Sequence, residues 1–244
     1  MRRPSERPAD ERPADEGPAD DVAVEVPFAD RATAGRALAR RLIEGGAVST
    51  ATTGGPPPVV LGIPRGGVPV AAAVAQALDG VLDVLVAHKV GAPGEPELAV
   101  GAVATDGTAL MEPWAREAGV TDDDAFARSA EAELAQARLR ERALRSGRPP
   151  VPLAGRLVIL VDDGMATGAT MHVAVLAARA ASAVRTIVAV PVASHEAVDT
   201  LRRVADEVVV VAIPPWFRAV GEWYRRFDQI DDAEVERILA EAGR

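Results

Sequence analysis

The sequence feature that most restricts the fold is one run at residues 158–170, VILVDDGMATGAT. It opens with four consecutive apolar residues, a pattern typical of a strand buried on both faces of a parallel sheet. Two acids follow, then a turn of small residues, and then the Ala-rich stretch Met171–Ala183, which is predicted to be a helix. The run therefore predicts a strand–loop–helix unit, and ligands of open α/β sheets bind at the carboxyl ends of such strands.

The residue types in this loop indicate two different kinds of ligand group. Residues 167–170 supply backbone N–H groups, two hydroxyls and the positive end of a helix dipole, which together suit a phosphate monoester. Asp162 and Asp163 would repel a phosphate and need another partner. A vicinal diol, with Mg²⁺ nearby to reduce the repulsion, satisfies both halves of the loop.

The run resembles the phosphoribosyl-diphosphate (PRPP) motif of type I phosphoribosyltransferases over all thirteen positions: four apolar residues, two acids, then Thr-Gly-x-Thr. The resemblance implies that Asp162 and Asp163 hold the ribose 2′- and 3′-hydroxyls. It also implies that the 5′-phosphate is bound by the following residues: Ala166, Thr167, Gly168, Ala169 and Thr170.

Other readings of the same run agree with fewer positions. A P-loop needs G-x-x-x-x-G-K-[ST], and no Lys occurs in this loop; a dinucleotide fingerprint needs G-x-G-x-x-G, whereas Gly164 and Gly168 are four residues apart. A receiver-type acid cluster would not need Thr-Gly-x-Thr. The purely structural alternative is that Asp163 caps a turn and the glycines form bends.

Composition limits the remaining possibilities. A chain of 244 residues that is 48% hydrophobic can form one α/β domain with appendages. The chain contains no Cys, which excludes disulfides and thiol chemistry, and its net charge of −9 argues against nucleic acid as a partner. No signal segment and no apolar run near 18 residues is found, so a cytoplasmic protein without membrane contact is expected.

The predicted organisation is a tail followed by one domain. Residues 1–27 are predicted to be a disordered low-complexity tail, because residues 6–20 repeat a Pro-containing pentad with no apolar face. Residues 28–244 are predicted to form a single phosphoribosyltransferase-like domain, with a flap and helical insertion at about 93–150 and a hood at about 213–230. The domain opens with a helix from Asp30, a plausible N-cap, to Glu44.

A second strand–turn–helix unit lies at residues 59–78. Val59–Ile63 is predicted to be a strand and Val70–Leu78 a helix, with PRGGVP between them. Glycines allow close backbone approach and Arg65 offers a fork of donors, so the turn suits an anion. In the family this loop binds pyrophosphate, which implies that role for Arg65, Gly66 and Gly67; the alternative is an ordinary turn.

The next predicted strand, Val81–Ala87, would deliver His88 and Lys89 to the same crevice. The family usually has a basic residue here that contacts pyrophosphate, so the resemblance implies this role for Lys89, with His88 the weaker candidate. The alternative is that Lys89 is an exposed surface residue. With Asp162, Asp163 and Arg65, Lys89 completes the predicted catalytic set.

Residues 91–97 are predicted to be a loop, followed by a hairpin of Leu98–Ala104 and Thr108–Met111 around Asp106-Gly107. In this fold such a flap carries the loop that closes over the substrate. A helix is predicted from Thr121 to about Arg145; its alternating Glu and Arg residues indicate a solvated face, and the minority alternative is that one arginine reaches the active site.

Two further strands, Val184–Val192 and Glu207–Ile213, flank a predicted helix at His195–Val204. With the earlier units they predict an α/β fold with a doubly wound parallel sheet, the type I phosphoribosyltransferase fold. The segment after the last strand holds five aromatic residues. It resembles the hood of the hypoxanthine-guanine enzymes, which implies that Trp216 or Phe217 stacks on a base; the alternative is a satellite core, to which Trp223, Tyr224 and Phe227 are assigned.

Two departures from the family pattern bear on the substrate. Hypoxanthine-guanine enzymes have an Asp where this chain has Ala166, and a base-reading Lys where Ser194-His195 stand. The Ala-Thr-Gly form is closer to adenine enzymes, whose general base is a Glu in the flexible loop; Glu95 and Glu97 lie in such a loop. The wider pattern, IPRGGVPVA with HKVGAPGEPELAVGAV, resembles bacterial phosphoribosyltransferases of unassigned acceptor.

The predicted function is a Mg²⁺-dependent pentosyltransferase of nucleotide salvage, which transfers the phosphoribosyl group from PRPP to a purine or pyrimidine base. The Mg²⁺ would be held mainly through PRPP, with Asp162 and Asp163 as the candidate protein ligands. The alternatives are a non-catalytic PRPP- or nucleotide-binding regulator and a phosphatase on the same fold. The sequence leaves a homodimer open.

Overall fold

The computed structural model describes residues 26–48 and 55–243. The predicted tail, including the pentad repeat at residues 6–20, lies almost entirely outside the described residues, as does most of the loop at residues 49–58. Within the described part of the chain, no helix is long and apolar enough to cross a membrane.

The centre of the molecule is a five-stranded parallel sheet. Its strands, in chain order, are β1 (Val59–Gly62), β2 (Val81–Val84), β6 (Leu157–Val161), β7 (Arg185–Val192) and β8 (Glu207–Ala212). They lie in the spatial order β2-β1-β6-β7-β8, all parallel. The chain starts in the middle and winds outward in both directions, which confirms the doubly wound sheet predicted from the sequence.

Helices cover both faces of this sheet. Helices α1 (Arg31–Glu44) and α2 (Gly67–Ala77) pack on one face, and α5 (Ala169–Ala180) and α6 (His195–Leu201) pack on the other. The central strand β6 is buried from both sides, with no exposed surface on residues 158–161. This double burial is the physical reason for the continuous apolar run at those positions.

Helix α1 begins as its cap predicts: the carboxylate of Asp30 accepts a 2.8 Å hydrogen bond from the backbone N–H of Thr33. Helix α2 begins at Gly67, three residues before the predicted start at Val70. The helix therefore includes the second glycine of the PRGG turn, which packs so closely against the end of β6 that a Cβ there would lie 2.6 Å from the carbonyl oxygen of Val161.

Residues 87–111 form a separate antiparallel sheet of three strands: β3 (Ala87–Ala92), β4 (Glu95–Ala104) and β5 (Ala109–Met111). The hairpin at Asp106-Gly107 is where the sequence predicts it. The strand predicted at Val81–Ala87 is present as β2 but is shorter than predicted, because β2 ends at Val84 and the chain then leaves the parallel sheet to pair Ala87 with Ala104. Most of the predicted loop at residues 91–97 is strand, with a close contact between Gly91 and Pro96.

Helix α4 (Asp123–Leu144), with Asp122 as its N-cap, covers this second sheet through Phe126 and Ala130; the short helix α3 (Pro113–Glu117) precedes it. Two elements near the C-terminal end complete the fold: a 3-10 helix at Val220–Trp223 and helix α7 (Asp232–Ala242), whose Val235 and Leu239 are buried. The sequence analysis did not predict α7.

Candidate active site

The two adjacent acids lie where β6 ends and its loop begins. The backbone N–H of Ile63, at the end of β1, donates a 2.8 Å hydrogen bond to the carbonyl oxygen of Val161, so the loops after β1 and β6 start side by side. Within the second loop, the N–H of Asp163 donates to Oδ1 of Asp162 at 2.8 Å. The parallel sheet therefore delivers both predicted loops to one edge, as their positions in the sequence require.

Asp163 is held by an arginine that the sequence analysis did not identify. The Nε–H of Arg31 donates to Oδ2 of Asp163 at 2.9 Å, and the two side chains are only 10% and 13% exposed. Arg31 is the first residue of α1, one turn before Ala34 and two turns before Leu38, which are both buried. In the sequence, the helical spacing of Arg31 with Ala34 and Leu38 could have indicated that its side chain is buried and that its charge needs a partner inside the protein.

Burial raises the pKa values of both acids. For Asp162, burial raises the pKa well above its usual range, and the neighbouring charge of Asp163 raises it further. Burial also raises the pKa of Asp163, while the hydrogen bond and charge of Arg31 act in the opposite direction. Keeping two adjacent carboxylates away from water lowers the stability of the fold, and such unfavourable arrangements are concentrated at functional sites.

The PRGG loop packs directly against these acids. A Cβ atom on Gly66 would lie 1.9 Å from Oδ2 of Asp163, and one on Gly67 would lie 2.6 Å from the carbonyl oxygen of Val161. The peptide bond between Pro64 and Arg65 is cis. The N–H of Gly67 donates to the carbonyl oxygen of Ile63 at 3.0 Å, so its backbone donor is already engaged in the turn. Both glycines are thus required by the contact between the two loops.

The Thr-Gly-x-Thr turn forms the start of α5. Gly168 is the N-cap residue, with a φ of 78°, a conformation that favours glycine. Thr167 is exposed, and Thr170 lies in the first turn of the helix. Ser194 fixes the preceding residues, because its Oγ donates to the carbonyl oxygen of Ala166 at 2.5 Å and its N–H donates to that of Met165 at 3.0 Å. The 5′-phosphate loop predicted from the sequence is therefore a helix N-terminus anchored by Ser194, two residues after the end of β7.

A cavity of about 360 Å³ lies beside the acids. The PRGG loop contributes Arg65 and Gly66, the β6 loop contributes Asp163, and α1 contributes Arg31. Residues 227–230 close the remaining side. Arg65 is 40% exposed there, and its Nη1 forms a long ion pair, at 3.9 Å, with Oδ1 of Asp232.

The C-terminal segment contacts the β6 loop at two points. A Cβ on Gly164 would lie 2.7 Å from Cγ1 of Val220, and the hydroxyl of Tyr224 donates to the carbonyl oxygen of Asp163 at 2.6 Å. Tyr224 is buried with its ring 5.7 Å from that of Phe28, as a satellite core requires. Trp216 is 84% exposed and Phe217 is half-buried.

The structure places Lys89 and His88 differently from their predicted position. Both lie on β3 of the antiparallel sheet and not at the end of a parallel strand; Lys89 pairs with Ala102 and its side chain is exposed. Nδ1 of His88 lies 3.1 Å from Oε2 of Glu133 on α4. The cause is the early end of β2, which sends residues 87–92 into the second sheet.

Three arginines in or just after α4 have partners outside the loop that carries Asp162 and Asp163, which we call the acid loop. Arg140 pairs with Asp232 at 2.8 Å, and Arg145, buried just after the helix, pairs with Asp83 at 2.9 Å. Arg138 donates to the carbonyl oxygen of Thr105. The predicted solvated face is found at Arg138, which is exposed, whereas Arg140 pairs with another helix and Arg145 is buried.

Comparison with known proteins connects the chain to one family. The family model described as "Phosphoribosyl transferase domain" matches residues 32–224. A Mycobacterium tuberculosis (strain H37Rv) protein named "Putative phosphoribosyl transferase Rv0571c" is 43% identical over 217 residues, which cover 89% of this chain and 47% of that protein. The chain thus spans about half the length of this relative.

The solved structures include a similar protein whose name states no activity. The crystal structure of TT1426 from Thermus thermophilus is 44% identical in sequence and superposes with a TM-score of 0.73, covering 88% of this chain and 98% of that one. The sequence-based recognition of the family is confirmed by these matches.

Proposed function

Because the chain belongs to the phosphoribosyl transferase family, we propose that it transfers the 5-phosphoribosyl group from PRPP to a nitrogenous base and releases pyrophosphate. One observation carries the proposal: the two adjacent acids, the PRGG loop and the glycine-capped start of α5 meet at one edge of the sheet. This arrangement offers separate sites for a diol, a pyrophosphate and a phosphate monoester.

The start of α5 is the proposed site of the 5′-phosphate. Residues 166–170 present the hydroxyls of Thr167 and Thr170 and the positive end of a 12-residue helix. The Ser194 contact holds this loop in place without the ligand, so little ordering is needed on binding.

The PRGG loop is the proposed site of pyrophosphate. Arg65 supplies the charge, while Gly66 and Gly67 let the loop lie close to the acids. Lys89 remains part of this proposal as a residue of the antiparallel sheet, so its contact with pyrophosphate depends on how that flap lies over the bound substrate.

The acids fit a Mg²⁺ that is held mainly by the substrate. Among the described residues there is no cluster of three or more His, Cys, Asp or Glu side chains able to hold a metal ion. Mg²⁺ commonly takes one or two carboxylates and fills its other positions with substrate phosphates and water. Asp162 and Asp163 would supply those carboxylates, and the ion when bound would neutralise charge on the departing pyrophosphate.

In this mechanism the chain orients the sugar and stabilises charge. Asp162 and Asp163 hold the ribose hydroxyls and face the positive charge that develops on the ring as the bond from C1 to pyrophosphate breaks. Arg65 stabilises the departing anion, and the acceptor nitrogen then bonds to C1. Trp216 or Phe217 would supply the face on which the base stacks, with the acceptor itself unassigned.

Calorimetric titration of PRPP with and without Mg²⁺ tests the proposal, followed by a pyrophosphate-release screen over purine and pyrimidine bases. We expect Mg²⁺-dependent binding and release with at least one base, and loss of both in the double variant Asp162→Asn/Asp163→Asn. The matched control is Asp206→Asn. Asp206 lies just before β8, and its carboxylate accepts hydrogen bonds from the N–H and the hydroxyl of Thr186 on β7. Binding without release would favour the regulator, hydrolysis without a base would favour the phosphatase, and no binding would refute the proposal.

A further inference from the structure

Arg31 makes three different contacts around the acid loop. Its Nε–H donates to Oδ2 of Asp163 at 2.9 Å, its Nη1–H donates to the carbonyl oxygen of Asp228 at 2.8 Å, and its Cζ lies 3.9 Å from the centroid of the Phe227 ring. The residue is 9% exposed. A buried guanidinium with these partners has one available orientation, since its donors form a planar fork and its face is stacked.

These contacts determine which oxygen of Asp163 a ligand can use. Arg31 occupies Oδ2, and Gly66 packs against the same oxygen, because a Cβ there would lie 1.9 Å from it. The carbonyl oxygen of the same residue is held by Tyr224. With Oδ2 and the backbone both fixed, a hydroxyl has to approach Oδ1.

We propose that Arg31 is a positioning residue for the transfer reaction, which turns Oδ1 of Asp163 toward the ribose diol by holding Oδ2. The inference rests on the proposed function. Arg31 does not itself contact the sugar in this mechanism; it acts through Asp163, and it links that acid to residues 227–228 of the C-terminal segment.

The role predicts an effect on one part of the substrate and not on another. Ribose 5-phosphate carries the diol and the 5′-phosphate, whereas inorganic pyrophosphate carries neither and is assigned in the proposed function to the PRGG loop and Lys89. Replacing Arg31 should therefore weaken the affinity for ribose 5-phosphate and leave that for pyrophosphate unchanged. A residue that only stabilised the fold would change both affinities together or neither.

The experiment measures both affinities by calorimetry in the full chain, for wild type, Arg31→Gln and Arg31→Lys. Arg36→Gln is the matched control, because Arg36 is on the same helix, is exposed and donates to Thr33 in its own helix. We expect a loss of about tenfold or more in ribose 5-phosphate affinity for Arg31→Gln, a partial recovery in Arg31→Lys, and wild-type values for Arg36→Gln.

The two possible failures give different results. If the wild type binds neither PRPP nor ribose 5-phosphate, the proposed function is wrong. If the wild type binds both and the Arg31 variants lose no ribose 5-phosphate affinity, or lose pyrophosphate affinity equally, the positioning role is wrong. Should Arg31→Gln fail to fold, the affinities of Arg31→Lys for ribose 5-phosphate and for pyrophosphate, each compared with that of the wild type, decide the question.

Discussion

The hydroxyl of Tyr224 donates a 2.6 Å hydrogen bond to the carbonyl oxygen of Asp163, 61 residues earlier in the chain. The bond joins the C-terminal segment to the backbone of the acid loop, while Arg31 holds the side chain of the same acid. Burial and the nearby acids raise the pKa of Tyr224, so the phenol remains a donor throughout the physiological range.

Tyr224→Phe should remove this bond and keep the ring packing against Phe28. We expect the free energy of unfolding to fall by about 0.5–1.5 kcal/mol, because the carbonyl oxygen of Asp163 loses its donor inside the protein. Urea denaturation measures the change. An unfolding free energy equal to that of the wild type would show that water replaces the phenol at no cost.

Gly66→Ala should disrupt the contact between the two loops. The added methyl group would lie 1.9 Å from Oδ2 of Asp163, so one loop has to move, at a cost of about 1–3 kcal/mol. We expect a lower melting temperature and weaker PRPP binding. Gly55→Ala is the control, since a Cβ there meets nothing within 4 Å; equal effects of the two substitutions would contradict the prediction.

Asp162→Asn should stabilise the folded protein at neutral pH. The folded-state pKa of Asp162 is raised above its ordinary value of 3.8, so the folded state binds the proton more tightly than the unfolded chain. Wild-type stability therefore falls as pH rises from about 3.8 through the folded-state pKa, and Asn avoids this loss. Melting curves from pH 4 to pH 7.5 should show an advantage of the variant that grows with pH.

Asp206→Asn should change the stability of the fold at neutral pH in the opposite direction to Asp162→Asn. Hydrogen bonds from the backbone and the side chain of Thr186 lower the pKa of Asp206, so its carboxylate stabilises the fold above pH 3.8 and the benefit disappears as pH falls through the lowered pKa. This variant should be less stable than the wild type at pH 7 and approach it in acid. If both Asn variants changed stability in the same direction at pH 7, the assigned environments would be wrong.

Arg145→Met should be among the most destabilising substitutions away from the site. Arg145 is 7% exposed and pairs with Asp83 and Glu141, and removing it leaves Asp83 charged and buried without its partner. We expect a loss of about 3–5 kcal/mol in unfolding free energy, measured in urea. Arg237→Met, which breaks exposed pairs on α7, should leave stability unchanged, as surface pairs usually do.

Trp216→Ala should test base binding without changing the stability of the fold. The side chain is 84% exposed, so we expect no measurable change in melting temperature. If Trp216 stacks on the acceptor, the KM for the base should rise while the calorimetric affinity for PRPP stays the same. An unchanged KM for the base would transfer that role to the half-buried Phe217 or remove it from the segment.

Much of the fold could be predicted because its signals are local. The apolar run at residues 158–161, the Asp30 cap and the Asp106-Gly107 turn can each be recognised from a few adjacent residues. The family resemblance of the β6 loop likewise depends on thirteen adjacent positions. Such patterns can be recognised without knowledge of any distant contact.

The errors and omissions have non-local causes. Lys89 lies on the second sheet because the chain leaves the parallel sheet after Val84 and Ala87 pairs with Ala104. Arg31 meets Asp163 across 132 residues, a contact that no short pattern contains. Sequence periodicity can show that such a residue is buried, but its partner is determined only by the packing of α1 against the sheet.

The anchoring of Asp163 has a consequence for synthesis of the chain on the ribosome. Its two supports come from opposite ends of the described domain: Arg31 opens the first helix, and Tyr224 pairs with Phe28 in an isolated parallel bridge. A nascent chain in which the sheet has already formed would still lack the second support until residue 224 had left the exit tunnel. The acid loop would therefore be among the last parts of the molecule to gain all the contacts of its final geometry.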